Sequence, residues 1–433
     1  MIFIGTRPEI TKMAPIIRKA ADYDFETILV HSGQHYDLQM SNVFLEELEL
    51  PKVDHNLEIG SGTHGYQTGQ MLEKYEQVIE KYKPKIVLAL GDTNTVVAAS
   101  LVCAKINIPF GHVEAGIRSF DLTMPEEINR VLADSVSGIY FAPTEQSILN
   151  LYYQGLDPKR IFLTGNTAVD ATIEHSEIAK KKSAIIEKLA IPKEKPLITL
   201  TAHRAENVDN KERLESLCKA LVELNEFTIV FSVHPRTKER LEKFDLEKIL
   251  TKEKHIILSE PFGYLDFLKL MQESVLILTD SGGLQEEALT LKKPCVTLRT
   301  NTERPETIKL GVNFLVGTDK KKIIKTVRKV AESKEILDKL QKTKNPFGDG
   351  KASVKILEIL KEQLKTNDLF FKPPEFFEKG SLDYRLIKIE KETTVKQIEE
   401  QYKGKVTLVY DDKGQPQLIS DKIPKNWFVR IQY

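Results

Sequence analysis

Between His112 and Arg130 the chain gathers Glu114, Arg118, Asp121, Glu126, Glu127 and Arg130 into one stretch that starts as an apolar run and ends as a helical pattern. Carboxylates and guanidinium groups at this density suit proton transfer next to an anion, and Glu114 and Glu126 are spaced to reach one substrate. The same stretch also reads as ordinary structure. Thr123-Met124-Pro125-Glu126 spells a capping box with Pro in the first turn, and Glu126 with Arg130 is a common i, i+4 pair. Three similar loops shift the balance toward chemistry: Gly5-Thr6-Arg7-Pro8-Glu9, Gly91-Asp92-Thr93-Asn94 and Asp280-Ser281-Gly282-Gly283. Each follows a strand-like run and precedes a helical one, which places it at a strand's carboxyl end, where open α/β sheets bind ligands.

Ser281, Gly282 and Gly283 at a helix start offer backbone N–H groups and the positive end of a helix dipole, an anion site suited to phosphate. Glu287, one turn further, is placed to accept from ribose hydroxyls, and the combination suggests a nucleotide. No GxGxxG follows the first strand, so a nicotinamide or flavin cofactor bound by the usual route is not expected. In the first loop Glu9 completes a capping box with Thr6, leaving Arg7 and Lys12 to neutralise a diphosphate. His203 and His234 end successive strands. Without HExxH, clustered cysteines or a DxDxDG loop, no metal site is expected, and His203 is the histidine best placed to meet phosphate or hydroxyl. His234 reads equally well as structural, and His112, inside a strand, reads as structural.

These loops need a scaffold, and the sequence supplies an α/β one. Strand-like runs at Thr27 to His31, Ile86 to Leu90, Ile108 to Ala115, Ile139 to Pro143 and Ile161 to Gly165 alternate with helices at Pro8 to Ala20, Gln67 to Tyr82 and Asn94 to Lys105. That is the pattern of a doubly wound parallel sheet. A second set follows a solvated lysine-rich connection: Leu197 to Ala202, Thr228 to His234, Ile256 to Glu260, Val275 to Thr279, Cys295 to Arg299 and Asn313 to Val316. The expected organisation is two Rossmann-like domains, 1–170 and 171–345, then a helix in 346–365 returning to the first. A Phe- and Pro-bearing linker, 366–380, leads to an accessory α+β module, 381–433, containing strands, the helix Val395 to Tyr402, a turn at Asp412-Lys413-Gly414 and the only tryptophan.

Composition sets the outer limits. At 433 residues one core does not suffice and two domains are the prior. Lys plus Arg and Asp plus Glu number 63 each, so no net field draws in nucleic acid or an anionic membrane, and local charge must hold any anionic substrate. No apolar run is long enough to span a bilayer and no leader pattern opens the chain, so a soluble cytoplasmic protein is expected. Cys103, Cys218 and Cys295, far apart and without CxxC spacing, read as buried apolar residues of a reducing compartment.

Taken together in order, Gly5-Thr6-Arg7-Pro8-Glu9 with Lys12, Gly91-Asp92-Thr93, His112-Val113-Glu114-Ala115-Gly116, Pro125-Glu126-Glu127-Ile128-Asn129-Arg130, Thr164-Gly165-Asn166-Thr167, Asp280 to Ala288 and Glu303-Arg304-Pro305-Glu306 resemble the non-hydrolysing UDP-N-acetylglucosamine 2-epimerases over residues 1 to about 365. The resemblance implies a GT-B-like pair of Rossmann-type domains with the active site in the cleft, a homodimer, and interconversion of UDP-GlcNAc and UDP-ManNAc without a cofactor. It implies elimination of UDP to 2-acetamidoglucal and re-addition, with Asp92, Glu114 and Glu126 as the acid–base group and Arg7, Lys12 and Arg130 around the diphosphate. His203 would contact substrate, Ser281, Gly282 and Gly283 hold phosphate, Glu287 the ribose, and Arg304 close the nucleotide side.

The pattern departs from the family in places. The first strand is short; many bacterial members bind a second UDP-GlcNAc as activator partly through a Gln-His pair, but here Gln34-His35 is followed by Tyr36-Asp37 and Gly60 to Gly65 replaces the usual later segment; and the module after Thr366 lies outside the common core. A sibling reading is a 2-epimerase of a UDP-2,3-diacetamido uronic acid, since Ser61 to Gly65 and Arg118-Ser119-Phe120 also occur in that branch; intact Thr6 to Glu9 and Glu303 to Glu306 favour plain UDP-GlcNAc. A hydrolysing epimerase would resemble G-x-R-A-x-Y-G at the first loop, which is missing. A non-catalytic nucleotide-sugar sensor would have little need of three acids around an anionic ligand.

Overall fold

Short apolar runs without alternation are the mark of strands covered on both faces, and parallel strands need a helix between them to return the chain. The computed structural model describes residues 1–33, 44–302, 304–366, 369–370 and 384–432. Gln34-His35, Glu303 and most of the expected linker lie outside the described residues. The chain forms two compact units, Met1–Thr167 with Gly350–Tyr433, and Ala168–Asp349.

The first unit holds a seven-stranded sheet of β1 (Ile2–Ile4), β2 (Leu29–His31), β3 (His55–Asn56), β4 (Val87–Leu90), β5 (Phe110–Val113), β6 (Ile139–Ala142) and β7 (Ile161–Leu163), in the order β3-β2-β1-β4-β5-β6-β7. Every neighbouring pair is parallel. The second holds β8 (Leu197–Thr201), β9 (Thr228–Ser232), β10 (Ile256–Ser259), β11 (Leu276–Thr279), β12 (Cys295–Thr297) and β13 (Asn313–Leu315), ordered β10-β9-β8-β11-β12-β13 and again parallel. In both, strand succession reverses at one point, between β1 and β4 and between β8 and β11. The loops leaving those four strands flank the place where such sheets bind ligands.

The helices take positions their composition demands. Asn94–Lys105 is apolar nearly all round, burying Val96, Val97, Ala98, Ala99, Val102 and Cys103, because it lies against β4 and β5 with the helices His64–Tyr82 and Pro125–Val136 beside it. After the second unit the helix Ala352–Gln363 buries Ile356, Leu357 and Leu360 against the first, helped by Lys19 Nζ to Ser353 Oγ at 3.2 Å and Lys361 to Asp24 at 2.7 Å. Leu369 is buried, and a Cβ on Gly138 would come within 2.9 Å of the Leu369 carbonyl.

The C-terminal module has an antiparallel sheet of β14 (Tyr384–Lys388), β19 (Phe428–Gln432), β16 (Lys405–Tyr410) and β17 (Pro416–Gln417) in that order, with a small ribbon of β15 (Thr393–Thr394) and β18 (Lys422–Ile423). Its helix, Val395–Tyr402, starts in a Thr394/Gln397 capping box. Ile389, Ile398, Val409, Ile423, Val429 and Ile431 form its own core, while Leu418 packs onto the first unit's cluster of Ala115, Ile148 and Leu151. A chain stopped after Lys365 loses Leu369 and Leu418 from their seats. At about 1.5–3 kcal/mol for a fully buried aliphatic side chain, less where burial is partial, its melting temperature is expected to fall by about 5 °C or more. Calorimetry on the two chains checks this, and equal melting temperatures would show the tail to be uncoupled.

Candidate active site

In the first unit the site grows from three strand ends. Thr6, leaving β1, caps the helix Arg7–Lys19 with Glu9 in the capping box. Glu9 is buried; one carboxylate oxygen accepts the N–H groups of Gly5 and Thr6, both at 2.7 Å, and the other accepts the Thr93 hydroxyl. It therefore ties the loop after β1 to the loop after β4. Burial pushes the Glu9 carboxyl up to about 7, against the hydrogen bonds from Thr93, Thr6 and Gly5 that favour its ionised form. An unfolded Glu ionises near 4.5. Between these values the folded chain binds more protons than the unfolded one, so this group's contribution falls as pH rises from 4.5 to about 7 and is flat above. Glu9→Gln is expected to remove that slope from a urea-unfolding series run from pH 5 to 8; an unchanged slope would assign it elsewhere.

Beyond β5 the backbone turns sharply. Glu114 has φ +68° and Gly116 φ +79°, and a Cβ at Gly116 would stand 2.3 Å from the Ser147 carbonyl, so only glycine fits there. The turn aims Glu114 at the helix starting with Arg7, where Lys12 Nζ meets its Oε1 at 2.7 Å. Lys12 is thus paired with Glu114 rather than left free, as the sequence reading had it; a helical turn into its helix, it faces the end of β5. Arg7 is exposed, its guanidinium 5.7 Å from the Phe44 ring centre. The Glu114 carboxylate also lies beside Gly91, whose Cβ would be 3.9 Å from Oε2. Next to Gly91, Asp92 pairs with Arg130, and its carbonyl accepts from Asn129 Nδ2 at 3.0 Å.

The helix Pro125–Val136 does not begin as expected. Met124 is its N-cap, and Thr123 instead gives both its N–H and hydroxyl to Asp121 Oδ1, at 2.9 and 2.6 Å, in an Asx turn. Nor do Glu126 and Arg130 pair: Arg130 faces Asp92, with Glu127 at 3.7 Å, while Glu126 is exposed in the first turn. Glu127 is the structural acid, accepting Ser119 N–H at 2.8 Å, Ser119 Oγ–H at 3.1 Å and Phe120 N–H at 3.2 Å. Beneath the turn lies a network around fully buried Asp134 and His112 that sequence reading missed. Asp134 accepts from His112 Nδ1 at 2.6 Å, Arg118 at 2.5 Å and Gly116 N–H at 3.1 Å, and His112 Nε2 reaches the Gly91 carbonyl at 2.8 Å. Burial pushes the Asp134 carboxyl up, yet His112 and Arg118 together hold it below the usual range. His112 is structural, as its strand position implied.

In the second unit, Asp280 ends β11 and reaches the loop after β8. It is fully buried and accepts from the backbone of His203 and Arg204 and the side chain of Asn207, with His203 Nδ1 at 3.1 Å. Asn207 also donates to the Leu298 carbonyl at 2.9 Å. His203 keeps about a third of its side chain exposed, its ring 5.6 Å from that of His234, which caps the helix Pro235–Lys243 by accepting Arg236 N–H. The helix Gly282–Thr290 starts directly after Ser281, whose N–H donates to Thr279 Oγ1 at 3.0 Å. That corrects the expectation of an open backbone donor at Ser281, whose N–H is already taken. Arg304 pairs with buried Glu286, and Gln285 accepts from Thr302 and Asn313 at 2.7 and 2.8 Å, tying the segment carrying Arg304 to the same helix. Glu287 is half-buried one turn in, near enough for its charge to raise the Tyr264 phenol beyond what burial alone does. No cluster of metal-ligating side chains occurs among the described residues, and no described helix is long and apolar enough to cross a membrane.

Two carboxylates each facing a cation, on adjacent loops of one sheet, suit proton transfer beside developing negative charge. Residues 18–361 match the model of the UDP-N-acetylglucosamine 2-epimerase family. The UDP-N-acetylglucosamine 2-epimerase of Methanocaldococcus jannaschii is 50% identical over 365 residues, 83% of this chain and 98% of that protein. The UDP-2,3-diacetamido-2,3-dideoxy-D-glucuronate 2-epimerase of Pseudomonas aeruginosa is 40% identical over 366 residues, again 83% of this chain and 98% of that protein. A crystal structure of the M. jannaschii enzyme in complex with UDP-GlcNAc and UDP matches at TM-score 0.72 and 49% identity, covering 83% of this chain and 99% of that one. The fold class is GT-B-like, with two Rossmann-type units, and the family model stops before the C-terminal module. The chain belongs to the UDP-N-acetylglucosamine 2-epimerase family.

Proposed function

We propose that this chain interconverts UDP-GlcNAc and UDP-ManNAc by eliminating UDP across C1 and C2 and adding it back to the opposite face of C2. The observation that carries the reading is the pairing of Glu114 with Lys12 and of Asp92 with Arg130 on the neighbouring loops after β5 and β4, beside the first sheet's switch point. The C2 proton is not next to a carbonyl, so its direct removal is very hard. Departure of UDP makes it feasible, and departure needs cations for the diphosphate as well as carboxylates for the proton. Asp92, Glu114 and Glu126 take and return the C2 proton, Arg7, Lys12 and Arg130 offset negative charge, and His203 contacts the substrate. Gly282, Gly283 and the Ser281 hydroxyl hold phosphate, Glu287 the ribose, and Arg304 the nucleotide side. The working form is a homodimer, which light scattering tests.

Purified protein given UDP-GlcNAc alone, without NAD or divalent metal, is expected to produce UDP-ManNAc as the minor species at equilibrium. In D₂O the product carries deuterium at C2. Unaltered UDP-GlcNAc from folded protein would remove the reading, and turnover only of the 2,3-diacetamido uronic acid derivative would replace it with the activity for which the P. aeruginosa relative is named.

A further inference from the structure

We infer that Asp280 is a positioning residue that sets which ring nitrogen His203 presents to the substrate, an inference that rests on the epimerase reading above. The two oxygens of Asp280 have different company. Oδ2 accepts three N–H groups: the backbone of His203 at 3.0 Å, the backbone of Arg204 at 2.9 Å and the side chain of Asn207 at 3.0 Å. Oδ1 faces ring Nδ1 of His203 at 3.1 Å, with the His203 backbone N–H also at 3.1 Å. Burial disfavours the charge on Asp280, yet the hydrogen bonds from His203, Arg204 and Asn207 hold its carboxyl below the ordinary range. An ionised carboxylate only accepts, so Nδ1 has to carry a hydrogen. Nε2 then remains for a ligand, and among the described residues no side chain or backbone group hydrogen-bonds to it.

The placement gives this orientation a use. Asp280 is fully buried and immediately precedes Ser281, so the residue that holds the His203 ring also begins the loop assigned to phosphate. With Nδ1 committed, Nε2 can accept a proton and, carrying it, donate to a phosphate oxygen as UDP departs. Asp280 itself, sealed under the loop, acts through the ring.

Replacing Asp280 with Asn inverts this logic in a predictable sense. The Oδ2 position faces three donors, so the carboxamide oxygen has to take it, and the NH₂ group is forced opposite Nδ1 of His203. Nδ1 must then accept, and the ring proton moves to Nε2. Ring-¹⁵N histidine spectra are expected to show His203 protonated at Nδ1 in the native protein and at Nε2 in D280N. Turnover of UDP-GlcNAc by D280N falls about 100-fold, the scale of a lost acid–base group, while UDP affinity by calorimetry changes less than about threefold. In a His203→Asn background, adding D280N lowers kcat no further, because both changes remove the same function. An unprotonated Nδ1 in the native protein overturns the inference, as does an equal loss from D280N with and without His203. The native spectrum decides even if D280N does not fold, and it reads the ring geometry whether or not UDP-GlcNAc proves to be the substrate.

Discussion

Asp92→Asn and Glu126→Gln are each expected to lower turnover of UDP-GlcNAc by about two orders of magnitude or more while leaving UDP affinity within about threefold. The two substitutions test different things. Asp92 is paired with Arg130, so its replacement removes both the proposed proton carrier and the partner of a cation. Glu126 is exposed in the first turn of its helix, where substitution disturbs little of the fold. A fall in kcat for Glu126→Gln with an unchanged melting temperature therefore isolates chemistry from stability. UDP affinity persists because uridine and diphosphate are assigned mainly to the second unit. Native turnover in both variants, measured by NMR at C2, would return these acids to helix capping and ion pairing.

Asp134→Asn is expected to be the most damaging single change to stability, about 3–5 kcal/mol in urea unfolding near neutral pH. The carboxylate is fully buried, and Asn would leave the Arg118 guanidinium, itself about 5% exposed, without its counter-charge. It would also weaken the bond to Gly116 N–H that anchors the turn carrying Glu114. The folded Asp134 carboxyl ionises below the ordinary 3.8. Its contribution is thus complete above that pH and lost as pH falls through the lower folded value, so the native chain and the variant should converge in acid. A cost under about 1 kcal/mol near neutrality would mean the pair is compensated by water, as surface pairs are.

What the sequence discloses and what it hides divide along a physical line. The helix Val395–Tyr402 has the ends its pattern predicts, because a local capping box decides where it starts. β3, two residues of His and Asn, has no apolar run to announce it and exists only because β2 offers an edge. The Thr123 box failed for a local reason, since Asp121 two residues earlier competes for the same hydroxyl. The partners of the functional groups are another matter. Lys12 and Glu114 are 102 residues apart, Asp280 and His203 are 77 apart, and no spacing rule connects them until the sheet order brings the segments that carry each pair to one end of the same sheet. Positioning acids such as Asp134, Glu127 and Asp280 look like any other carboxylate in sequence.

The chain's single tryptophan sits not in the two parallel-sheet domains but in the C-terminal module, where Trp427 packs against the module's core cluster. That places an intrinsic optical probe in a module that lies beyond the end of the family match at residue 361. Indole emission followed during denaturation reports the small sheet by itself, whereas far-ultraviolet ellipticity is dominated by the helices of the two larger units. Two superimposable transitions would mean that the appendage melts with the body it touches through Leu418, and an earlier fluorescence change would mark it as a separately melting attachment.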